Sequence, residues 1–356
     1  MPRTMNVKAA ILGASAVGLV AAAAMGRPSQ ANYGTPSIDR WVYPFNSTPG
    51  FRAVISSFSS LGQEDAFPPL TFDQRDAQFL VGFDTAGQFP TGRGVCGYRI
   101  TAASLRVAVS EDLAFKFDPT YDDWTSYLGG AMDSDGRSIE LYGAAYRNGW
   151  TAATYVEGSV SGVPAATPFG PSISREVRNV FASDYLGGVA RDVSNNVRDG
   201  FNPKPFAVGQ IAGLSTGQYV PVDSDVVFTL NVNDPDVQAY LSEAVNTGRV
   251  RLIVSSLSPA VSAGGGGPGS GEFPSFYAKE FTGADGFWAR FSITVALTPQ
   301  GDSDGSGTVN FDDLTVTLAN WGSAGAPGLE GDANCDGVVD FDDVTTILAN
   351  WGATEI

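Results

Sequence analysis

Two stretches of the chain, starting at Gly301 and Gly331, read GDSDGSGTVNFDDLTVTLANWG and GDANCDGVVDFDDVTTILANWG: one pattern, repeated thirty residues on. A hard cation such as calcium takes about six to eight oxygens. A twelve-residue loop delivers them from positions 1, 3, 5, 7, 9 and 12, with glycine at position 6 for the sharp turn. The first copy supplies Asp302, Asp304, Ser306, the carbonyl of Thr308, Asn310 and Asp313, with Gly307 at the turn. The second supplies Asp332, Asn334, Asp336, the carbonyl of Val338, Asp340 and Asp343, with Gly337 at the turn. A merely solvated acidic run would not keep the turn glycine twice, so the spacing predicts two Ca2+ sites. Loop two has more carboxylates among its ligands, and charge raises affinity, so loop two is expected to bind the more tightly.

A helix must follow each loop to carry position 12. Asp312 and Asp342 fall where a carboxylate can cap a first turn, and Gly322 stands where the first helix would end. Phe311, Leu314, Leu318 and Trp321 recur at helical spacing, as do Phe341, Val344, Leu348 and Trp351. That stripe predicts that Phe311, Trp321, Phe341 and Trp351 form a small core between two antiparallel helices.

Position 12 is Asp in both copies, and no amphipathic stretch precedes either loop. On these residues the segment 301–352 resembles a type I dockerin, the duplicated loop–helix module that docks on a cohesin in cellulosome-type assemblies. The resemblance implies a small all-α calcium module over 301–356, a cohesin-like protein partner and a polysaccharide-degrading context. It departs from the family at loop positions 10 and 11. Cohesin-binding dockerins commonly carry a hydroxyl pair there, whereas this chain has Phe311-Asp312 and Phe341-Asp342, and no Lys or Arg follows residue 300. These four residues, alike in both copies, are the expected partner contacts, and a cohesin that met them would need a basic or apolar patch.

Several function classes are bounded by composition. Residues 1–31 read as a secretory signal: Arg3 and Lys8, an apolar stretch over 11–24, and Ser29-Gln30-Ala31 as a cleavage site. The expectation is an exported protein with no membrane span. The formal charge is −17, and 301–356 carries 11 acidic side chains and no basic one, which argues against a nucleic-acid partner. Histidine is absent, which removes Ser-His-Asp and Cys-His sites, His-ligated metals and histidine general-base chemistry. Cys96 and Cys335 are the two cysteines. They lie in different modules, so no disulfide framework is expected and Cys335 reads as a small residue tolerated at position 4 of loop two.

Residues 32–298 read as β. Short runs rich in Val, Ile and aromatics at 51–58, 78–83, 98–109, 113–117, 138–142, 226–232, 249–255 and 288–297 are separated by Gly, Pro, Asn and Asp. Many short strands with frequent turns predict a mainly β, jelly-roll-like sandwich. One helix interrupts them, with Asp234 as cap, Pro235 at its first position, Val237, Tyr240, Leu241, Ala244 and Val245 as its apolar face and Gly248 at its end. The Gly-rich run 263–271 reads as a loop within the module. RITAASLRV at 99–107, FTLNVNDPDVQAYLSEAVNTG, and FPSFYAKEF followed by RFSITVAL resemble pieces of DNRLRE-type jelly-roll modules of secreted bacterial proteins. That resemblance implies a carbohydrate-binding or structural role.

The acids Asp118, Asp122 and Asp123 beside Trp124, Asp133 and Asp135 in a DSDG turn, and Glu140 could make a sugar-binding loop, a further cation site, or a carboxylate pair for glycoside hydrolysis. The plainer expectation is that DSDG is a hairpin turn and that Trp41, Trp150 and Trp288 are core. Together these residues predict a secreted, non-catalytic β-sandwich with a calcium-binding dockerin-like module for attachment. The alternative is a glycoside hydrolase carrying that module, and a third reading is a self-contained folded terminus with no cohesin.

Overall fold

The computed structural model describes residues 28–43, 50–59, 74–127, 135–157, 179–260, 272–283 and 285–354. Outside them lie most of the predicted signal, the Gly-rich run 263–271, and Asp133 with Ser134. The chain is mainly β, built from curled, almost wholly antiparallel sheets. One sheet orders β1 (Ser29–Tyr33), β13 (Arg290–Leu297), β5 (Tyr98–Ala108) and β10 (Asp225–Thr229). The other orders β2 (Ile38–Val42), β4 (Gln78–Asp84), β11 (Arg249–Ser256), β7 (Arg137–Tyr146) and β6 (Phe117–Asp118), with β8 (Val180–Ser183) and β9 (Ala207–Val208) also on β7. A short ribbon joins β3 (Val54–Ser56) to β12 (Ser275–Tyr277).

Side chains alternate across a strand, and that alternation builds two cores. Phe79, Val81 and Phe83 of β4, with Val250, Leu252 and Val254 of β11, face Leu105, Val107, Ile293 and Val295 of the first sheet. The intervening Leu80 and Ile253 point the other way, onto Tyr155, Val180 and Val193. The second sheet is therefore covered on both faces, which is why β4 and β11 read as continuous apolar runs.

The helix expected after Asp234 is α2 (Pro235–Asn246), following a short α1 (Asn196–Asp199). The Asp234 side chain accepts the Asp236 N–H, and Val237, Leu241 and Val245 enter the main core. Gln238 donates to and accepts from the Ile100 backbone at 3.1 and 2.9 Å, filling in for a strand partner close to the register shift between β5 and β13. Gly143 on β7 lets three rings approach: a Cβ there would sit 2.9 Å from Tyr185 and Tyr240 and 3.0 Å from Phe206.

Two strand expectations need amending. Residues 113–117 form no strand beyond Phe117, the start of β6, because that stretch meets only isolated backbone partners such as Tyr219. β2 and β8 went unpredicted because their alternation is interrupted by Asp39, Arg40 and Ser183, all buried. Ser29, Gln30 and Ala31 lie in β1 and pair with Val295, Thr294 and Ile293. No helix among the described residues is long and apolar enough to cross a membrane.

A candidate calcium centre in the duplicated loops

Each loop runs into a nine-residue helix, α3 (Phe311–Ala319) and α4 (Phe341–Ala349). The caps are Asn310 and Asp340, not Asp312 and Asp342 as the sequence suggested. Each cap side chain accepts the N–H two residues on, and Asp313 and Asp343 reach back to the cap N–H, completing a capping box in both copies. Asp312 and Asp342 are left exposed two positions further in.

The loop geometry repeats as the sequence does. Asp302 accepts the Gly307 N–H at 2.8 Å, and Asp332 accepts the Gly337 N–H at 2.9 Å. Asp313 accepts from Asp304 (3.1 Å) and Asn310 (2.8 Å), and Asp343 from Asn334 (3.0 Å) and Asp340 (2.7 Å). In both copies position 12 is thereby tied to position 3, and position 1 to the turn glycine. In loop one, one carboxylate oxygen from each of Asp302, Asp304 and Asp313 lies within 4.8 Å of the other two. Two oxygens bound to one calcium at about 2.4 Å can be no further apart than this. Asp302 Oδ1 is buried and accepts no hydrogen bond among the described residues. The donor set thus fits a hard cation. Burial, then the neighbouring Asp304 and Asp313, pushes the Asp302 carboxyl up to about 7. Burial also raises Asp313 and Asp332.

The remaining positions diverge. Ser306 Oγ donates to the Thr308 carbonyl at 3.2 Å, and Asn310 Nδ2 reaches the same oxygen at 3.3 Å. In loop two Asn334 replaces the second carboxylate. Asp336 is exposed and accepts from Val338 N–H at 2.9 Å and Asn334 Nδ2 at 3.0 Å.

The core between the copies is made of other residues than those expected. Val309, Ala333 and Ile347 are buried, with Leu314 and Ala353 against them, while Phe311 (66 % exposed), Trp321 (51 %), Phe341 (67 %) and Trp351 (51 %) face outward with Leu318 and Leu348. The reason is helical phase. Asp313 and Asp343 must enter the loops, so the inward face runs through Asp313 and Thr317, and through Asp343 and Ile347, which turns the apolar stripe out. The centre of each loop pairs with the segment after the other copy's helix: Val309 with Gly352 and Ala353, Val339 with Gly322 and Ser323.

Cys96 and Cys335 form a disulfide, with Cα atoms 5.9 Å apart, correcting the expectation that Cys335 is only a tolerated small residue. Sequence separation of 239 residues hid it; the fold closes the gap. Arg99 Nη1 donates to the Asp304 carbonyl at 2.9 Å beside it, so loop one also touches β5.

The other acids singled out are occupied. Glu140 is buried, takes Ser138 Oγ at 3.0 Å and Tyr142 Oη at 2.5 Å, and pairs with buried Arg75 at 2.7 Å. Asp118 accepts from Thr120 N–H and Oγ1, Asp122 from Tyr127 and Arg137, and Asp123 from Asn202 and Thr125. Trp41 packs on the main core and Trp150 on the second, as expected, and Trp288 donates to the Phe281 carbonyl. A scan against protein-family models finds no match, and a search of curated proteins finds none either.

Proposed function

We propose that the chain is a secreted, non-catalytic modular protein: a jelly-roll-like sandwich with a carbohydrate-binding or structural role, joined to a dockerin-like module that binds two Ca2+ and attaches the protein to a cohesin-like partner in a polysaccharide-degrading assembly. The observation that carries this reading is the pair of equivalent loop–helix units. Each ties the backbone at position 3 to the position 12 carboxylate, the first gathers its position 1, 3 and 12 carboxylates, and both turn Phe311, Leu318 and Trp321, or Phe341, Leu348 and Trp351, to solvent. Apolar patches of this kind mark interaction surfaces. A disulfide fits an oxidising compartment, which supports export. The occupied state of Glu140, Asp118 and Asp122 supports a non-catalytic sandwich over a glycoside hydrolase.

The test is retention of secreted proteins on the immobilised full-length chain in calcium and in chelator. Calcium-dependent capture that is lost in the Phe311→Ala, Phe341→Ala double variant is expected. Capture indifferent to calcium, or untouched by that variant, would favour the self-contained terminus.

A further inference from the structure

Away from the paired loops, a second set of carboxylates converges. Asp39 comes from β2, Glu157 from the stretch after β7, and Glu280 from the turn after β12, and one oxygen of each lies within 4.8 Å of the other two. Asp39 is wholly buried. Its Oδ2 accepts the Lys279 N–H at 2.6 Å, whereas its Oδ1 accepts no hydrogen bond among the described residues and has the Lys279 ammonium 3.7 Å away. Glu280 Oε2 is likewise buried without a hydrogen-bond donor among them. Glu157 Oε1 accepts the Asp39 N–H at 2.8 Å, and its Oε2 pairs with Lys279 Nζ.

Three acids here meet the Lys279 ammonium, and the Arg40 guanidinium acts on Glu157 alone among them, so negative charge is in excess. Arg40, the other nearby cation, lies over the Tyr155 ring and directs Nη1 to the backbone carbonyls of Val156 (2.6 Å) and Glu157. Uncompensated buried charge is costly unless it is paired or holds a metal. Two of the three acids thus keep a buried oxygen without a donor, and each of the three offers an oxygen at a separation that one ion can bridge, the coordination that hard cations seek. We infer that Asp39, Glu157 and Glu280 form a divalent-cation site of the calcium class, distinct from the duplicated loops, that fastens β2 and the end of β12 to the stretch after β7. Lys279, partly exposed, stays as the outer counter-charge.

The experiment is equilibrium dialysis of the full-length chain against calcium, with metal analysis of wild type, Asp39→Asn and Glu280→Gln, and thermal unfolding of each in calcium and in EDTA. The difference between chains is read, so the result is independent of what the paired loops hold. Each variant is expected to bind one equivalent fewer than wild type and to gain less in unfolding temperature from calcium. In EDTA, Glu280→Gln should unfold no lower than wild type, since removing a carboxylate relieves repulsion. An unchanged calcium count in Glu280→Gln overturns the inference. So does a loss of stability that is the same in EDTA as in calcium, the mark of a proton shared between Asp39 and Glu280. If Asp39→Asn does not fold, Glu280→Gln, whose side chain is only partly buried, decides the matter alone.

Discussion

Asp302 holds one oxygen on the Gly307 N–H and leaves the other buried and without a donor among the described residues, which gives this single residue a measurable pH signature. Its folded carboxyl titrates at about 7, mainly through burial, while an unfolded aspartate titrates near about 4. Between those values the metal-free folded chain holds the extra proton, so stability falls as pH rises through that window. In EDTA, unfolding free energy should be lower at pH 7.5 than at pH 5, Asp302→Asn should flatten the fall, and excess calcium should abolish it. An identical slope in the variant would exclude Asp302 as its source. A second residue-scale outcome concerns the rank of the loops. Counting carboxylates favours loop two, yet only loop one gathers three of them, and Asp336 is turned to solvent. Asp304→Asn should therefore weaken calcium binding on the order of tenfold, about 1.4 kcal/mol, and more than Asp336→Ser does at its own loop. Calorimetry of both variants compares them; a larger loss from Asp336→Ser restores the charge-count order.

At the scale of the element, the two short helices depend on their caps. Isolated helices of nine residues are marginal in water, so the capping boxes and the pairing of each loop with the opposite copy hold them. Asn310→Ala, measured in EDTA so that calcium does not enter, should cost about 1 kcal/mol. Circular dichroism with denaturant would register it, and no change would show that pairing alone sustains α3. Among the strands, β7 leaves room at Gly143 for three rings and for no added atom. Gly143→Ala must push apart Tyr185, Tyr240 and Phe206, at a cost of about 1–3 kcal/mol. A neutral result would mean those rings repack freely.

Over the whole molecule, the acidic C-terminal segment is fastened to the β-rich body by the Cys96–Cys335 bond and by Arg99 on the Asp304 carbonyl. Repulsion among 11 acidic groups opposes its folding, and any cation bound only by the folded state adds to stability. Chelator should therefore loosen 301–354 first and spare the two-sheet core. Cys96→Ser with Cys335→Ser should lower the stability of that segment by about 2–4 kcal/mol and make it far more sensitive to EDTA. Hydrogen exchange resolves this by segment, and equal protection of α3 and α4 with and without the disulfide would count against the clamp.

What the sequence by itself determined was whatever rests on neighbours in the chain. The spacing of Asp302, Asp304 and Asp313 against Gly307, the Asp234-Pro235 start of α2, and the apolar runs of β4, β5, β11 and β13 are local signals, set by backbone geometry within a few residues. Tertiary structure decided whatever depends on residues far apart or on which of two faces wins. The phase of α3 and α4 followed the carboxylate at position 12 rather than the apolar stripe, because an acid drawn into a loop of backbone N–H groups leaves the aromatics nowhere to go but out. The Cys96–Cys335 bond, and the meeting of Asp39, Glu157 and Glu280, join segments more than a hundred residues apart, and only the docking of the two sheets and their covering loops brings such atoms within reach.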